Sequence, residues 1–389
     1  MWLDQPRNEK TPLAGVKVLD LSRVLAGPFA GQVLADLGAD VIKVESPDGD
    51  TTREWGPPFI ARDGETTAAY YHACNRGKRG FVADFRDADD LAGVRALAAG
   101  ADVVIENFKP GALAKFGLDY AALAEHNSAL VYCSITGFGQ DGPRRDEPGY
   151  DFMIQAMSGF MGLTGEPEGA PMKAGVSISD LSCGLWSVIA IQSALMMRER
   201  KGPMQGRGQH IDMALLDCSV ALLANQALSY FATGNNPPRM GNSHAQVSAY
   251  GVFPTQDGPV VLAPANDKLF RKLLEMLDRR DLLDEPRFAG NASRIAHRGE
   301  LDAMIAAETA KWGREKLLAE CTKVGVPAGP INDLDEVFAD PQVVARGMKV
   351  DCDGVPGLRS PFRFSDARLA LERPSPKQGE HGSDLGGAP

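Results

Sequence analysis

Residues 16–45, VKVLDLSRVLAGPFAGQVLADLGADVIKVE, carry the architecture. Val16 to Leu21 is a short apolar run bounded by Gly15 and Ser22, which reads as a strand. Pro28 opens a helical pattern that closes near Leu37 and Gly38, and Asp40 to Glu45 (DVIKVE) is strand-like again, so the stretch is a β-α-β unit. The texture then repeats. Phe81 to Phe85 reads as a strand, Leu91 to Ala99 as a helix, Val103 to Glu106 as a strand, the stretch to about His126 as helical, and Leu130 to Ile135 as a strand. Strands alternating with helices predict an α/β fold with a parallel, doubly wound sheet and ligands at the carboxyl ends of its strands.

Further along, two long helical patterns, Asp180 to Arg200 and Met213 to Phe231, flank the turn Gly202 to Gly208 and a short strand, Gln209 to Asp212. The segment Gly234 to Ser248 is rich in Gly, Asn, Pro and Ser and reads as a linker. Strand runs around the turn Asp257-Gly258 and helical patterns from Lys268 to about Ala319 follow it. At 389 residues the chain exceeds what one core usually covers. The expected division is a large domain over 1–230, a smaller α/β domain over 235–325, and a return segment over 326–389. Val326 to Ile331 (VPAGPI) is expected to re-enter the large domain as a strand, and the remainder to be mostly irregular.

Hydrophobic residues make up 44% of the chain and charged residues 24%, the balance of a folded globular protein. A net charge of -10 argues against broad nucleic-acid binding and against an anionic membrane surface, so an anionic ligand must meet a local basic patch. The six cysteines form no CxxC pair, which removes support for a disulfide framework or a zinc site and fits a reducing cytoplasm. Met1 to Thr11 is polar and is not a secretory signal. Leu181 to Met197 is uncharged but short and interrupted by serines, and reads as a buried helix rather than a membrane span.

The first strand-to-helix junction, Ser22 to Pro28, lacks GxGxxG spacing, and no Walker GxxxxGK[ST] occurs. The histidines show no HExxH and no serine sits in GxSxG, so no metal site is expected. Asn75-Arg76-Gly77-Lys78-Arg79 puts three cations in five residues, readable either as a phosphate grip or as a solvated turn. Glu106 to Gly111 (ENFKPG) leaves a strand end for a helix start, where free N–H groups suit an anion. Asp180 follows a β-type segment, Ala174 to Ser179, and opens a helix. It is either an ordinary N-cap or a carboxylate nucleophile kept ionised by the helix dipole.

Read together, SRVLAGP (22–28), GADVIKVE (38–45), NRGKR (75–79), ENFKPG (106–111), SITGFG (134–139), the Asp180 segment and GRGQHIDMALLD (206–217) resemble the class III CoA-transferases of the CaiB/BaiF type. That family includes formyl-CoA transferase, carnitine CoA-transferase and the α-methylacyl-CoA racemases. The resemblance implies a Rossmann-like large domain built from both ends of the chain, a smaller α/β domain between, and an interlocked homodimer. It implies that Asp180 is the nucleophile, and that CoA is contacted by Leu25, Ala26, Ala83 to Arg86, Asn107, Phe108, Lys109, Lys115 and the stretch around Tyr150. The CoA thioester is then a substrate, with no permanently bound cofactor.

Three departures bear on the reaction. Leu25 stands where formyl-CoA transferase has an oxalate-contacting glutamine, and Met240 to His244 replaces its glycine-rich flap, so a larger acyl group than oxalate is expected. Tyr150 stands thirty residues before Asp180, where the racemase branch has histidine, and a phenol is a poor base at neutral pH. The expectation is transfer of CoA from succinyl-CoA to a dicarboxylate such as glutarate, malate, itaconate or mesaconate, with Arg23 and Arg53 as candidates for the distal carboxylate. The alternatives are an acyl-CoA racemase or isomerase, or a non-catalytic acyl-CoA binding protein.

Overall fold

The structure is a computed structural model that describes residues 2–3 and 9–382; most of the polar N-terminal stretch lies outside the described residues. Six strands form one wholly parallel sheet: β1 (Lys17–Asp20), β2 (Asp40–Glu45), β3 (Arg79–Val82), β4 (Val103–Glu106), β5 (Val131–Thr136) and β6 (Gln209–Ala214). Their order across the sheet is 3-2-1-4-5-6. The direction of winding therefore reverses between β1 and β4, which opens a crevice beyond their carboxyl ends.

Side-chain alternation along the strands builds two cores. Val18, Val41, Val103, Ile105 and Val131 point to one face and pack with α1 (Ala26–Asp36) and a long helix, Ile178–Glu199. Leu19, Ile42, Val44, Val104 and Tyr132 point to the other and pack with α2 (Ala88–Ala99) and α3 (Tyr120–His126). Strands covered on both faces need near-continuous apolar runs, which is why these segments are readable in the sequence.

Two close approaches set the position of α1. A Cβ on Gly27 would lie 2.4 Å from Ser22 Cβ, and one on Gly184 of the long helix would lie 2.7 Å from the Ala26 carbonyl oxygen. Only glycine lets the helix start fold back on β1 while the long helix crosses it. With α4 (Asp151–Met157) preceding it, the long helix is α5; α6 (Leu215–Ala221) and α7 (Ala224–Thr233) follow β6, broken at Leu222 and Leu223 where the sequence pattern predicts one helix.

The long helix is apolar enough to cross a membrane by length and composition. It buries Cys183, Ser187, Val188, Ile191, Ala194 and Leu195, but leaves Trp186, Ile189, Met196 and Met197 exposed, so only one side of it is the buried helix expected.

By compactness the chain divides into Met1–Met161, Lys173–Asn235 and Gln342–Pro389 as one unit, and Gly162–Met172 and Asn236–Pro341 as the other. The second unit holds an antiparallel sheet of β7 (Gly251–Phe253), β8 (Val260–Leu262) and β9 (Ala328–Pro330), with its own core around Phe270, Leu273, Leu301, Ile305 and Leu317. The strand expected to re-enter the large domain is β9. It pairs with β8 instead, Val260 opposite Pro330, because its backbone hydrogen-bonding partners lie there. The rest of the return segment is not wholly irregular, since Lys349–Cys352 and Val355–Leu358 form a hairpin.

Candidate active site

Asp180 lies in the first turn of α5, three residues past the N-cap Ser177; it is not the cap, and no strand precedes it. Another element anchors this helix start. Asp151 Oδ1 accepts the Ser179 N–H at 2.9 Å, while its Oδ2 accepts from Gln155 Nε2 at 2.7 Å. Gln155 Oε1 in turn accepts the Ala174 N–H at 2.9 Å, and Ser219 Oγ donates to Ser179 Oγ at 2.9 Å. Polar side chains of α4 thus take the Ala174 and Ser179 N–H groups, in place of a neighbouring strand.

The Asp180 carboxylate itself has no ion pair among the described residues. Burial pushes its pKa up to about 7, and the Asp151 charge adds to the rise. The helix dipole alone would keep this group firmly ionised; loss of water and a like charge outweigh it. Tyr70 lies close enough to feel Asp180: burial and then that carboxylate push the phenol up to about 12, against a hydrogen bond with Ser177 that pulls the other way. Trp55 packs edge-on against Tyr70 with ring centroids 5.1 Å apart. Neither aromatic belongs to a motif that stands out in the sequence.

At the crevice between β1 and β4, Leu25 and Ala26 are buried at the start of α1. Asn107 and Phe108 follow β4, and the Arg23 guanidinium lies 4.6 Å from the Phe108 ring centre. Phe85 contacts Phe108 and Phe116, with centroids 6.4 and 5.5 Å apart, and the Lys115 ammonium sits 4.7 Å from the Phe116 ring. Arg23, Phe85, Phe108 and Lys115 thus share one cationic, aromatic patch. Ala83 is buried just past β3, whereas Arg86 and Lys109 are exposed, Arg86 paired with Asp84 at 2.8 Å. Tyr150 is exposed at the start of α4, beside Asp151.

The NRGKR cations are neither a phosphate grip nor a solvated turn. Arg76 pairs with Asp36 at 2.6 Å, Lys78 with Asp20 at 2.7 Å and Arg79 with Asp40 at 2.5 Å, all three buried. Arg53 is likewise committed: its guanidinium binds Glu45 at 2.7 Å, the Tyr71 hydroxyl at 2.7 Å and the Pro376 carbonyl at 3.1 Å, so it is not free for a substrate.

The profile of CoA-transferase family III matches residues 13–382. The chain belongs to that family. Among curated class III relatives, succinate–glutarate CoA-transferase of Agrobacterium fabrum is 54% identical over 97% of this chain and 95% of its own length. Succinyl-CoA:glutarate CoA-transferase of Homo sapiens is 37% identical over 98% of this chain and 87% of its own. Among solved structures, a CaiB/BaiF family protein from Brucella suis superposes with a TM-score of 0.88 at 57% identity, covering 97% of this chain and 99% of that one. The class III enzyme is accordingly a CoA-transferase, moving CoA from an acyl-CoA to a carboxylic acid.

Proposed function

We propose that the donor is succinyl-CoA, that the acceptor is glutarate or a dicarboxylate close to it, and that CoA passes through a covalent intermediate on Asp180. The observation that carries the covalent step is an unpaired, partly buried carboxylate with its pKa raised to about 7. Raised basicity makes its oxygen a better nucleophile than a solvent carboxylate, while about half the molecules remain ionised at neutral pH.

An Asp180 oxygen attacks the thioester carbon, the C–S bond breaks, and CoA leaves as the thiolate with a mixed anhydride left behind. The thiolate attacks the aspartyl carbonyl, releasing the donor acid and forming an aspartyl-CoA thioester. The acceptor carboxylate attacks that thioester, expelling the thiolate and giving a second anhydride. Attack of the thiolate on the acceptor's acyl carbon yields the new acyl-CoA and restores Asp180. Bonds broken and made match in kind, so no ATP or metal enters the balance, and excluding water protects both anhydrides.

For CoA, Phe85, Phe108 and Lys115 of that patch supply aromatic surface and a cation in an acidic chain. Leu25 and Ala26 line the reacting end, Ala83 and Arg86 the adenine end, Lys109 adds charge for phosphate, and Tyr150 borders the acyl site. Arg23 remains the candidate for a distal carboxylate. A second copy of the chain is the expected cover for the exposed apolar side of α5 and for Leu228, Tyr230 and Phe231 of α7, consistent with an interlocked homodimer. All six cysteines are free and buried, which suits a cytoplasmic location.

The test is incubation with succinyl-CoA and a panel of carboxylic acids, followed by mass detection of new thioesters and hydroxylamine trapping during turnover. Glutaryl-CoA and a hydroxamate on Asp180 are the expected products. An unmodified Asp180 in a turning-over enzyme would overturn the covalent route, and a monocarboxylate as best acceptor would overturn the substrate class.

A further inference from the structure

Val24, between β1 and α1, has a φ of +70°. A β-branched side chain is disfavoured in this left-handed region and stays there only when its surroundings impose it. The strongest of those surroundings is one side chain. Asn107 Oδ1 accepts the Arg23 N–H at 2.8 Å and Asn107 Nδ2 donates to the Arg23 carbonyl at 2.7 Å, so both polar groups of the amide are used on the residue before Val24. Two weaker contacts complete the hold: the Val24 N–H to Asp50 Oδ2 at 3.2 Å, and Cys74 Sγ to the Val24 carbonyl at 3.5 Å.

This pair of bonds crosses the crevice at the switch point, tying the loop after β4 to the loop after β1. The loop after β4 is itself held, because Glu106 Oε2 accepts the Phe108 N–H at 2.8 Å. On the other side, the residues after Val24 are Leu25 and Ala26, and the Ala26 carbonyl is the atom against which Gly184 of α5 packs, one turn beyond Asp180.

We propose that Asn107 is a positioning residue for the acyl site: it pins Val24 in the left-handed conformation and so fixes the helix start that faces the Asp180 turn. Its contribution is to the rate of the acyl steps rather than to the grip on CoA through its side-chain amide. The proposal rests on Asp180 being the nucleophile.

A double-mutant cycle in the full-length enzyme tests it, using N107A, Val24→Gly and the pair, with glycine adopting the same φ without steric cost. With Val24 in place, N107A is expected to lower kcat about tenfold or more with KM for the acyl-CoA changed less than about threefold. In the Val24→Gly background the same substitution is expected to lower kcat by less than about threefold. Should N107A fail to fold, N107D keeps the acceptor for the Arg23 N–H, loses the donor, and enters the same cycle with a smaller effect of the same pattern. Equal losses in both backgrounds, or a rise in KM with kcat unchanged, would overturn the proposal. D180N, run alongside, reads the nucleophile separately: transfer surviving in D180N sinks the covalent mechanism, whereas a missing coupling sinks only the role of Asn107.

Discussion

Asp20 and Asp180 are both carboxylates withdrawn from water in the large unit, and they have opposite fates. Burial would raise Asp20, but the Lys78 and Lys43 charges, with hydrogen bonds from Lys78 and Ser22, pull it below its ordinary value. Asp180 has no cation to offset its burial and faces Asp151, so it rises to about 7. Removal from solvent is common to both; the partner decides the sign. A paired buried carboxylate holds the fold together, while an unpaired one is basic and available to react.

The largest expected effect lies on the reactive side. Asp180→Asn should cut succinyl-CoA-dependent transfer by roughly 10⁴-fold, with CoA still binding, as read by single-turnover assays and ligand titration. The structural side should answer in stability instead. Lys78→Met leaves Asp20 buried without its nearest cation, and urea unfolding is expected to show a loss of about 3–5 kcal/mol. If Lys78→Met proved neutral in stability, the contrast between the two carboxylates would lose its physical basis.

A smaller effect sharpens the cause of the rise at Asp180. With Asp180 as the proposed nucleophile the ionised form is the one that reacts, so kcat/KM should increase with pH to a plateau with its midpoint near 7. Asp151→Asn retains an acceptor for the Ser179 N–H but removes the like charge, and the midpoint is expected to move to lower pH. A midpoint that stays in place would assign the whole rise to desolvation.

What could be read from sequence follows the range of the interactions involved. The β-α-β unit was legible because Val16 to Leu21 and Asp40 to Glu45 are apolar runs, and the long helix because Leu181 to Met197 carries no charge. The roles of Arg76, Lys78 and Arg79 were not, because their partners Asp36, Asp20 and Asp40 lie 40, 58 and 39 residues away. Charge runs are usually solvated, and only the fold shows that these cations meet three buried acids. The Asn107 amide spans 84 residues to Arg23, and ENFKPG taken alone gives no sign of it. Asp180 itself was marked by family resemblance; its local pattern fits a cap as well as a nucleophile, and its basicity depends on Asp151 and on surroundings contributed by other elements.

The smallest expected effect is on stability, where the two carboxylates should respond to pH in opposite senses. For Asp180 the folded pKa of about 7 lies above the ordinary value of 3.8, so the folded state holds the proton more tightly. Below about pH 4 both states are protonated and the group contributes nothing unfavourable. Between about 4 and 7 the unfolded chain gives up its proton first, so stability is lost as pH rises through the folded value and then levels off. Asp180→Asn removes that loss, and the variant should exceed the parent by about 1–2 kcal/mol at pH 8 after allowing for the partial exposure of the group, with the gap closing below about pH 4. Asp20 has a lowered folded pKa, so its contribution is present above the unfolded value and lost as pH falls through the folded one. Asp20→Asn should therefore be the less stable protein at pH 8. Denaturant titrations of both variants at pH 4 and pH 8 decide it, and a gain of stability in Asp20→Asn or a loss in Asp180→Asn at the higher pH would reverse the assignment of one as structural and the other as reactive.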